Sequence, residues 1–284
     1  ILKKIGFSLT NKKTIYLIES EDDKEFIIES LEEEKYIGID TEFNWRNTYF
    51  PELSLLQIST SSKILLIDCL KCKKLGFLNN ILEDKAKTII MHSSRSDTTV
   101  LNTNLKIKLN NCFDIQIAEK LINGGEIKNY AFIVAKYFGY ELDKSETNSN
   151  WLKRPISKSQ ISYAANDVRF LIDIFKKQQK ILEKMNLLFK AKELTKKEVS
   201  LGSQDLHISR LRKFKSKRKI EENLFMWREN AAIRRNVPPS FIFKDKYFKK
   251  ILKINDEGIT KHGILNLLKN EDLANDLIKT LKQC

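Results

Sequence analysis

The stretch Ile37-Gly38-Ile39-Asp40-Thr41-Glu42 is an apolar run that ends in two carboxylates. Its composition predicts a buried β-strand, and side chains at positions i and i+2 of a strand project from the same face. Asp40 and Glu42 are therefore predicted to share a face. Two such carboxylates repel each other unless a cation lies between them, and hard divalent ions such as Mg²⁺ and Mn²⁺ prefer these oxygen ligands. A solvated strand end explains the same pair equally well.

The segments around this strand predict a sheet mixed with helices. Four further stretches have β-type composition: residues 14–18, 53–59, 63–67 and 88–91. Helical spacing is found at residues 20–34 and 75–82, and it dominates from residue 97 onward. Residues 157–184 are predicted to form one long amphipathic helix. The predicted fold class is α/β, with one sheet flanked by helices.

The composition limits the class of protein. The chain has 284 residues, with 51 Lys and Arg against 37 Asp and Glu, a net charge of +14. Its 42% of apolar and 31% of charged residues are typical of a globular protein. No apolar run approaches the ~18–20 residues of a membrane span. We therefore expect a cytoplasmic protein that does not bind a membrane. The positive charge favours a polyanionic partner.

The charge is distributed unevenly along the chain, which indicates two domains. Residues 201–284 hold 19 Lys and Arg against 10 Asp and Glu, a net charge of +9. Their amphipathic stretches predict a small all-helical bundle. We expect one domain over residues 1–190, a linker over residues 191–208 and the helical domain over residues 209–284.

A basic run opens the helical domain, with seven basic side chains in the ten positions 210–219. Such a run is typical of a surface that guides nucleic acid, and a solvated helix face is the alternative. The seven residues are Arg210, Arg212, Lys213, Lys215, Lys217, Arg218 and Lys219.

Three more residues complete a candidate acidic site. Asp97 follows the predicted strand 88–91 at the start of a predicted helix, where a helix-capping role is the alternative. Tyr163 and Asp167 are four residues apart on the long predicted helix and therefore lie on the same side of it. Asp167 is surrounded by apolar residues, and a charge in such a position requires a partner, of which a metal ion is one kind.

The order of these residues resembles the DEDD exonuclease superfamily in its tyrosine-bearing subclass. Three regions are similar to bacterial ribonuclease D: Asp40-Thr41-Glu42-Phe43 with residues 49–57, residues 142–155, and Tyr163-Ala164-Ala165-Asn166-Asp167. The C-terminal part, with Trp227-Arg228-Glu229 and residues 236–239, resembles one HRDC domain, a helical nucleic-acid-binding module. The resemblance implies a ribonuclease H-like mixed sheet flanked by helices in an exonuclease domain, followed by a small all-helical domain of HRDC type.

This family resemblance also implies an activity. It implies a 3′→5′ exoribonuclease that hydrolyses phosphodiesters at RNA 3′ ends and releases nucleoside 5′-monophosphates. Two divalent cations, Mg²⁺ or Mn²⁺, are implied as cofactors. Asp40 would bridge both ions, Glu42 and Asp167 would complete one site, and Asp97 would support the other. Tyr163 would orient the attacking water.

Substrate contacts are expected from two groups of residues. Phe43, His92 and Trp151 are candidates for stacking on terminal nucleotides, with a core role as the alternative for the two larger rings. Lys153 and Arg154 are candidates for phosphate contacts, with exposure to solvent as the alternative. The resemblance implies single-stranded RNA 3′ ends, and transfer-RNA precursors in particular, as partners, and no obligatory protein partner is inferred.

Two other functions remain open. An enzyme with the same mechanism could act on DNA, because the contact to the ribose 2′-hydroxyl that distinguishes the two substrates is not visible in a sequence. A non-catalytic RNA-binding protein is the second alternative. The presence of all four acidic residues and of Tyr163 argues against a decayed site.

Overall fold

The computed structural model describes residues 3–7, 13–216 and 218–282. Lys217, one of the seven residues of the basic run, lies outside the described residues. The chain divides into two compact units, one formed by residues 1–44 and 52–203 and the other by residues 45–51 and 204–284.

In the described residues, the first unit is built on a seven-stranded mixed sheet. Its strands are β1 (Lys3–Phe7), β2 (Thr14–Ile18), β3 (Tyr36–Asn44), β4 (Glu52–Ser59), β5 (Lys63–Asp68), β6 (Thr88–Met91) and β7 (Cys112–Asp114). The order across the sheet is β1-β2-β5-β4-β3-β6-β7. Strands β3, β6 and β7 run parallel to one another, whereas β4 is antiparallel to both of its neighbours. The predicted mixed sheet is confirmed, and β7 is a strand that the sequence pattern did not indicate.

Helices cover both faces of this sheet. They are α1 (Lys24–Leu31), α2 (Leu78–Leu82), α3 (Arg95–Leu105), α4 (Ile115–Ile122), α5 (Tyr130–Phe138), α6 (Lys158–Arg169), α7 (Leu171–Lys184) and α8 (Leu188–Gly202). One apolar core includes side chains of α4, α5, α6 and α7. The other core, on the opposite face, includes side chains of α1, α2 and α3. This alternation follows from the two-residue period of the strands, which sends neighbouring apolar residues to opposite faces.

The predicted single helix over residues 157–184 is wrong, because the chain breaks between α6 and α7 at Phe170. Phe170 is buried in the core. Side chains from elsewhere satisfy the backbone at the break: Lys13 Nζ donates to the carbonyl of Arg169 at 3.0 Å, and the Phe170 amide donates to the Tyr130 hydroxyl at 3.4 Å. Helical spacing alone could not reveal the break, since these partners lie far away in sequence.

The predicted linker over residues 191–208 also differs from the structure. Helix α8 ends only at Gly202, belongs to the first unit and packs on α3 and β7. A β-carbon at Gly202 would collide with the carbonyl oxygen of Arg95, so close packing requires glycine at this position. The first unit therefore extends to Ser203.

The second unit is helical, as predicted. Its described helices are α9 (Leu206–Leu211), α10 (Lys219–Arg235), α11 (Pro239–Ile242), α12 (Phe248–Glu257), α13 (Lys261–Leu268) and α14 (Glu271–Lys282). They enclose an apolar core of their own, which also takes in Tyr49 from the segment 45–51. In the part of the chain that the structure describes, no helix is both long enough and apolar enough to cross a membrane.

Candidate active site

The structure places the four acidic residues around the end of β3. Asp40 and Glu42 lie opposite Gln57 and Leu55 of β4, and Leu55 belongs to the core beneath α6. Residues paired across an antiparallel ladder point to the same face, so both carboxylates are on the face that α6 covers. Helix α6 carries Asp167, and the first turn of α3 carries Asp97.

The four carboxylates influence one another electrostatically. Burial raises the pKa of Asp40 well above its usual range, and the charges of Asp97, Asp167 and Glu42 raise it further. Burial, then Asp167 and Asp97, raise the pKa of Glu42 to about 9. Burial and the charge of Asp97 also raise the pKa of Asp167. The fold therefore brings together all four acidic residues singled out in the sequence, at a cost in electrostatic energy that a cation would relieve.

Asp97 is the most enclosed of the four carboxylates, with 6% of its surface exposed. Burial raises its pKa, and a 2.5 Å hydrogen bond donated by the Thr41 hydroxyl opposes that rise. The loop before α3 is fixed by Asp114, whose carboxylate accepts hydrogen bonds from the backbone amides of Ser93 and Ser94 at 3.1 and 2.8 Å. Asp97 is therefore held in place from two sides. Thr41 of β3 binds its carboxylate, and Asp114 of β7 fixes the loop that precedes its helix.

The chemistry of this donor set fits divalent cations, since its members are carboxylate oxygens in a partly desolvated pocket. Within the described residues, however, no group of three or more His, Cys, Asp or Glu side chains stands in a ready-made arrangement for a metal ion. Asp40, Glu42 and Asp167 retain partial solvent access, so an ion can reach their carboxylates from solution.

Tyr163 lies one helical turn before Asp167 on α6, with its side chain partly exposed. Its hydroxyl is 3.4 Å from Thr147 Oγ1. Burial and the charge of Asp167 raise the pKa of Tyr163 to about 12. The phenol is therefore neutral near pH 7, and it can donate or accept a hydrogen bond next to the carboxylates without acting as an anion.

Tyr130 is a residue at this site that sequence reasoning missed. Burial and the charges of Asp167 and Asp40 raise its pKa well above the usual range, which places the ring next to the acidic cluster. Its hydroxyl donates to the carbonyl of Asn166 at 3.2 Å. His92 lies against the Tyr130 ring, with the centroids 5.6 Å apart, and burial lowers the pKa of the imidazole. No motif in the sequence marks Tyr130, because its proximity arises from the packing of α5 on α6 and α7.

The aromatic candidates for substrate contact differ in their surroundings. Trp151 is only 6% exposed and belongs to the core, with its ring centroid 5.9 Å from that of Tyr163. Phe43 is partly buried against the core on the other face of the sheet. Trp151 is therefore a core residue whose ring packs against Tyr163, as expected from the alternative to stacking on a nucleotide.

Arg154 has a structural role, because its guanidinium binds other groups of the protein. Its position in a loop did not suggest this role. Its Nε and Nη2 atoms bind the buried Asp68 carboxylate at 2.6 and 2.8 Å. The same guanidinium donates to the carbonyls of Trp151 and Ser54 at 2.7 and 3.1 Å. Because its donors are used within the protein, Arg154 ties the loop before α6 to β4 and β5. Lys153 is exposed and remains a candidate for phosphate contact.

In the second unit, several residues of the basic run have partners. Arg210 binds Glu229 at 3.1 Å and lies 4.7 Å from the centre of the Tyr49 ring, whose hydroxyl donates to the same Glu229 oxygen. Arg218 pairs with Glu221 and Asp256, and Lys219 pairs with Glu222. Arg212 donates to Gln204. The run is thus partly neutralised, whereas Lys213 and Lys215 are exposed.

A cavity of about 630 Å³ in this unit gathers positive charge from several helices. Its charged lining consists of Arg210, Lys213, Arg228, Asp245, Lys246 and Lys249. Arg228 is 7% exposed, with its guanidinium 4.6 Å from the centre of the Phe248 ring. Three phenylalanines complete the lining, and two of them, Phe214 and Phe225, are stacked at 4.6 Å. Most of this charge comes from residues outside the basic run.

The fold and the acidic site define an exonuclease-type domain. A family model described as 3′-5′ exonuclease matches residues 15–183, and the chain belongs to this family. Over 86% of its length it is 30% identical to ribonuclease D from Desulfotalea psychrophila, and it spans 65% of that relative.

Solved structures agree with the fold. The crystal structure of Escherichia coli RNase D, described as an exoribonuclease involved in structured RNA processing, matches with a TM-score of 0.81 and 24% identity, over 98% of this chain and 73% of that one. Brucella melitensis NrnC with bound Mg²⁺ matches with a TM-score of 0.56 and 23% identity, over 63% of this chain and 88% of that one. The predicted ribonuclease H-like fold, followed by a helical region, is thus confirmed.

Proposed function

We propose that this chain is a metal-dependent 3′→5′ exoribonuclease that releases nucleoside 5′-monophosphates from RNA 3′ ends. The observation that carries the proposal is the convergence of four mutually repelling carboxylates and one neutral tyrosine at the end of β3. Such a cluster opposes folding unless it binds cations, and cations bound next to a phosphodiester are what two-metal nucleases use for hydrolysis. The similarity to ribonuclease D supports RNA as the substrate.

In this proposal Asp40, Glu42, Asp97 and Asp167 hold two divalent cations, Mg²⁺ or Mn²⁺. When bound, the ions would stabilise the negative charge that develops on the attacking and leaving oxygens. The Mg²⁺ bound by the structural neighbour NrnC supports a divalent ion here. The fold holds the carboxylates of Asp40 and Glu42 on the face of β3 that α6 covers. Thr41 and Asp114 keep Asp97 in place.

Tyr163 orients the attacking water in the proposed mechanism. Its pKa of about 12 means that the hydroxyl stays protonated while the reaction proceeds, so it positions the water and does not deprotonate it. Positioning of this kind contributes by fixing the approach of the two reacting groups. Trp151 beneath the ring and Thr147 beside the hydroxyl restrict the movement of Tyr163.

The second unit is proposed to act as an HRDC-type module that holds RNA. Its support is the cavity whose lining includes the exposed Lys213, Lys246 and Lys249, besides Arg210 and Arg228, which pair with Glu229 and Asp245. Positive charge next to aromatic rings is the combination that binds single-stranded nucleic acid without sequence preference. Transfer-RNA precursors with a 3′ trailer are the proposed natural substrates, in keeping with the structured RNA processing attributed to the E. coli structural neighbour.

The test compares matched 3′-labelled substrates in Mn²⁺: a single-stranded RNA, the same sequence as DNA, and a transfer-RNA precursor with a 3′ trailer. We expect stepwise shortening of both RNAs to mononucleotides, no shortening in EDTA, and no activity for Asp167→Asn. Equal rates on RNA and DNA would favour the DNA exonuclease alternative. Binding without shortening would favour a non-catalytic protein.

A further inference from the structure

Gln57 is a buried polar residue to which the proposed mechanism assigns no role. It lies in the middle of β4, directly opposite Asp40 of β3 in the antiparallel ladder. Its side chain is 0% exposed. Among the described residues, neither Oε1 nor Nε2 of its amide has a hydrogen-bond partner. Buried amides are almost always paired, so an orphaned one next to a functional site requires an explanation.

The location of this amide identifies its partner. Side chains directly opposite each other in an antiparallel pair share a face, with Cβ atoms about 4.5–5.5 Å apart. Gln57 and Asp40 therefore occupy the same narrow space between the sheet and α6, which packs on β3, β4 and β5. An extended glutamine side chain spans such a distance with a small change of rotamer.

The neighbouring groups of Gln57 leave few other choices. Along β4, its same-face neighbours are Leu55, which is apolar, and Ser59, whose hydroxyl donates to the carbonyl of Val168 at 2.8 Å. On β5 the paired residue is Leu66. Asp40, by contrast, is a hydrogen-bond acceptor directly across the ladder from Gln57. The Thr41 backbone amide already donates to this carboxylate, and the Gln57 amide would add a second N–H donor from the facing strand.

We propose that Gln57 is a positioning residue: its Nε2 donates a hydrogen bond to the carboxylate of Asp40 and holds that carboxylate in the charged, cation-binding orientation. The inference rests on the proposed function, because it assigns to Asp40 the task of binding divalent cations. Gln57 acts through Asp40 and touches neither the substrate nor the reacting atoms. Within the part of the chain that the structure describes, its amide has no other partner and is therefore available to Asp40.

The test replaces the amide by an apolar group of similar size, Gln57→Leu, in the full chain. Titration calorimetry with Mn²⁺ alone should show roughly tenfold weaker binding than in the wild type, equivalent to about 1.4 kcal/mol. The thermal midpoint in EDTA should be unchanged or higher, because an unpaired buried amide is removed. RNA trimming should slow at low Mn²⁺ and recover at high Mn²⁺, with the KM for RNA unchanged.

The matched control is Ser59→Ala, which removes the other polar group next to Gln57 on β4. It should bind Mn²⁺ like the wild type, and an equal loss of affinity in this variant would overturn the direct bond to Asp40. Wild-type Mn²⁺ affinity in Gln57→Leu would also overturn the proposal. If Gln57→Leu does not fold, the flexible Gln57→Met takes its place with the same expected results.

The outcomes also separate this inference from the proposed function. If the wild-type chain binds Mn²⁺ more tightly than Gln57→Leu but shortens no RNA, the exoribonuclease proposal fails and the positioning role of Gln57 stands. If the wild-type chain shortens RNA and Gln57→Leu matches it in both Mn²⁺ affinity and Mn²⁺ dependence, the exoribonuclease proposal stands and the positioning role of Gln57 fails.

Discussion

The hydroxyl of Thr41 on β3 donates a 2.5 Å hydrogen bond to the carboxylate of Asp97 on α3. Thr41 lies between Asp40 and Glu42 in the sequence. The strand that carries two of the four carboxylates therefore also holds a third, although α3 packs on the opposite face of the sheet from α6. Residue 41 couples the two faces at the end of β3.

Replacing this hydroxyl tests the coupling. Thr41→Val keeps the shape of the side chain and removes the donor, so Asp97 loses its bond from β3. A hydrogen bond to a charged group is worth about 1.5–3 kcal/mol, and we expect the single-turnover rate of RNA trimming to fall by about tenfold or more. Thr41→Ser keeps the donor and should retain most of the rate. Equal rates for Thr41→Val and Thr41→Ser would show that the hydroxyl of residue 41 does not contribute to the activity.

Removing the phenol of Tyr163 should slow the chemistry without weakening binding. For Tyr163→Phe we expect kcat to fall by about 10²-fold, in line with the loss of a positioned hydrogen-bonding group. The KM for RNA and the Mn²⁺ affinity should not change. Tyr130→Phe is the control, because the hydrogen bonds of its hydroxyl that the described residues show are to the backbone of Asn166 and Phe170. This control should lower the thermal midpoint and leave kcat near the wild-type value.

Arg154 should matter for stability and not for RNA affinity. Arg154→Met leaves the buried Asp68 carboxylate without its bidentate partner, and loss of one member of a buried ion pair costs roughly 3 kcal/mol or more. Urea denaturation should show this decrease in the free energy of unfolding. Lys153→Met, which alters an exposed side chain, should show none. A large rise in the KM for RNA, with unchanged stability, would restore Arg154 to the substrate-binding set.

The cavity of the second unit should set part of the salt dependence of RNA binding. The double variant Lys246→Ala/Lys249→Ala removes two exposed cations at its rim. Binding of a long RNA should weaken, and the slope of log K against log salt should become shallower by up to about 1.4, since each single-strand phosphate contact adds about 0.7. Lys279→Ala on α14 serves as the control. A slope equal to that of the wild type would show that the cavity does not contact phosphate.

Lys13 gives a stability signal that depends on pH. Burial lowers the pKa of Lys13 from 10.5 to about 8. The charges of Asp173 and Glu34 oppose this decrease, whereas those of Lys176 and Arg169 add to it. The folded state therefore binds fewer protons than the unfolded chain between pH 8 and 10.5, so stability increases as the pH rises through that window. Relative to Lys13→Met, the wild type should gain up to about 3 kcal/mol over this range in EDTA. A constant difference would contradict a buried, titrating lysine.

The local patterns of the chain predicted the class of fold, whereas the acidic residues were singled out by their order along the chain together with the family resemblance. Strands β2 to β6 lie where their composition indicates, because a buried strand needs a continuous apolar segment. The three-residue β7 and the break at Phe170 could not be predicted. A strand so short has no period of its own, and the break depends on Lys13 and Tyr130, which are distant in sequence.

Among the functional residues, those in motifs were predictable and those that support them were not. The i, i+2 spacing of Asp40 and Glu42 and the i, i+4 spacing of Tyr163 and Asp167 follow from the periods of strand and helix. The sequence offers Arg154 only as a candidate for phosphate contact, with exposure to solvent as the alternative. The structure instead uses it to neutralise Asp68, a buried carboxylate 86 positions earlier in the chain.

The sequence alone singled out the candidate residues for the chemistry and determined that the C-terminal third carries most of the positive charge, since residue type and local period are properties of neighbouring positions. Only the tertiary structure decided which groups meet: Thr41 with Asp97, Gln57 opposite Asp40, and Tyr130 beside Asp167. Those pairings are set by strand register and helix packing, which arise from burying apolar surface across the whole chain. A one-residue slip in the pairing of β3 and β4 would move Gln57 to the other face of the sheet and remove it from Asp40.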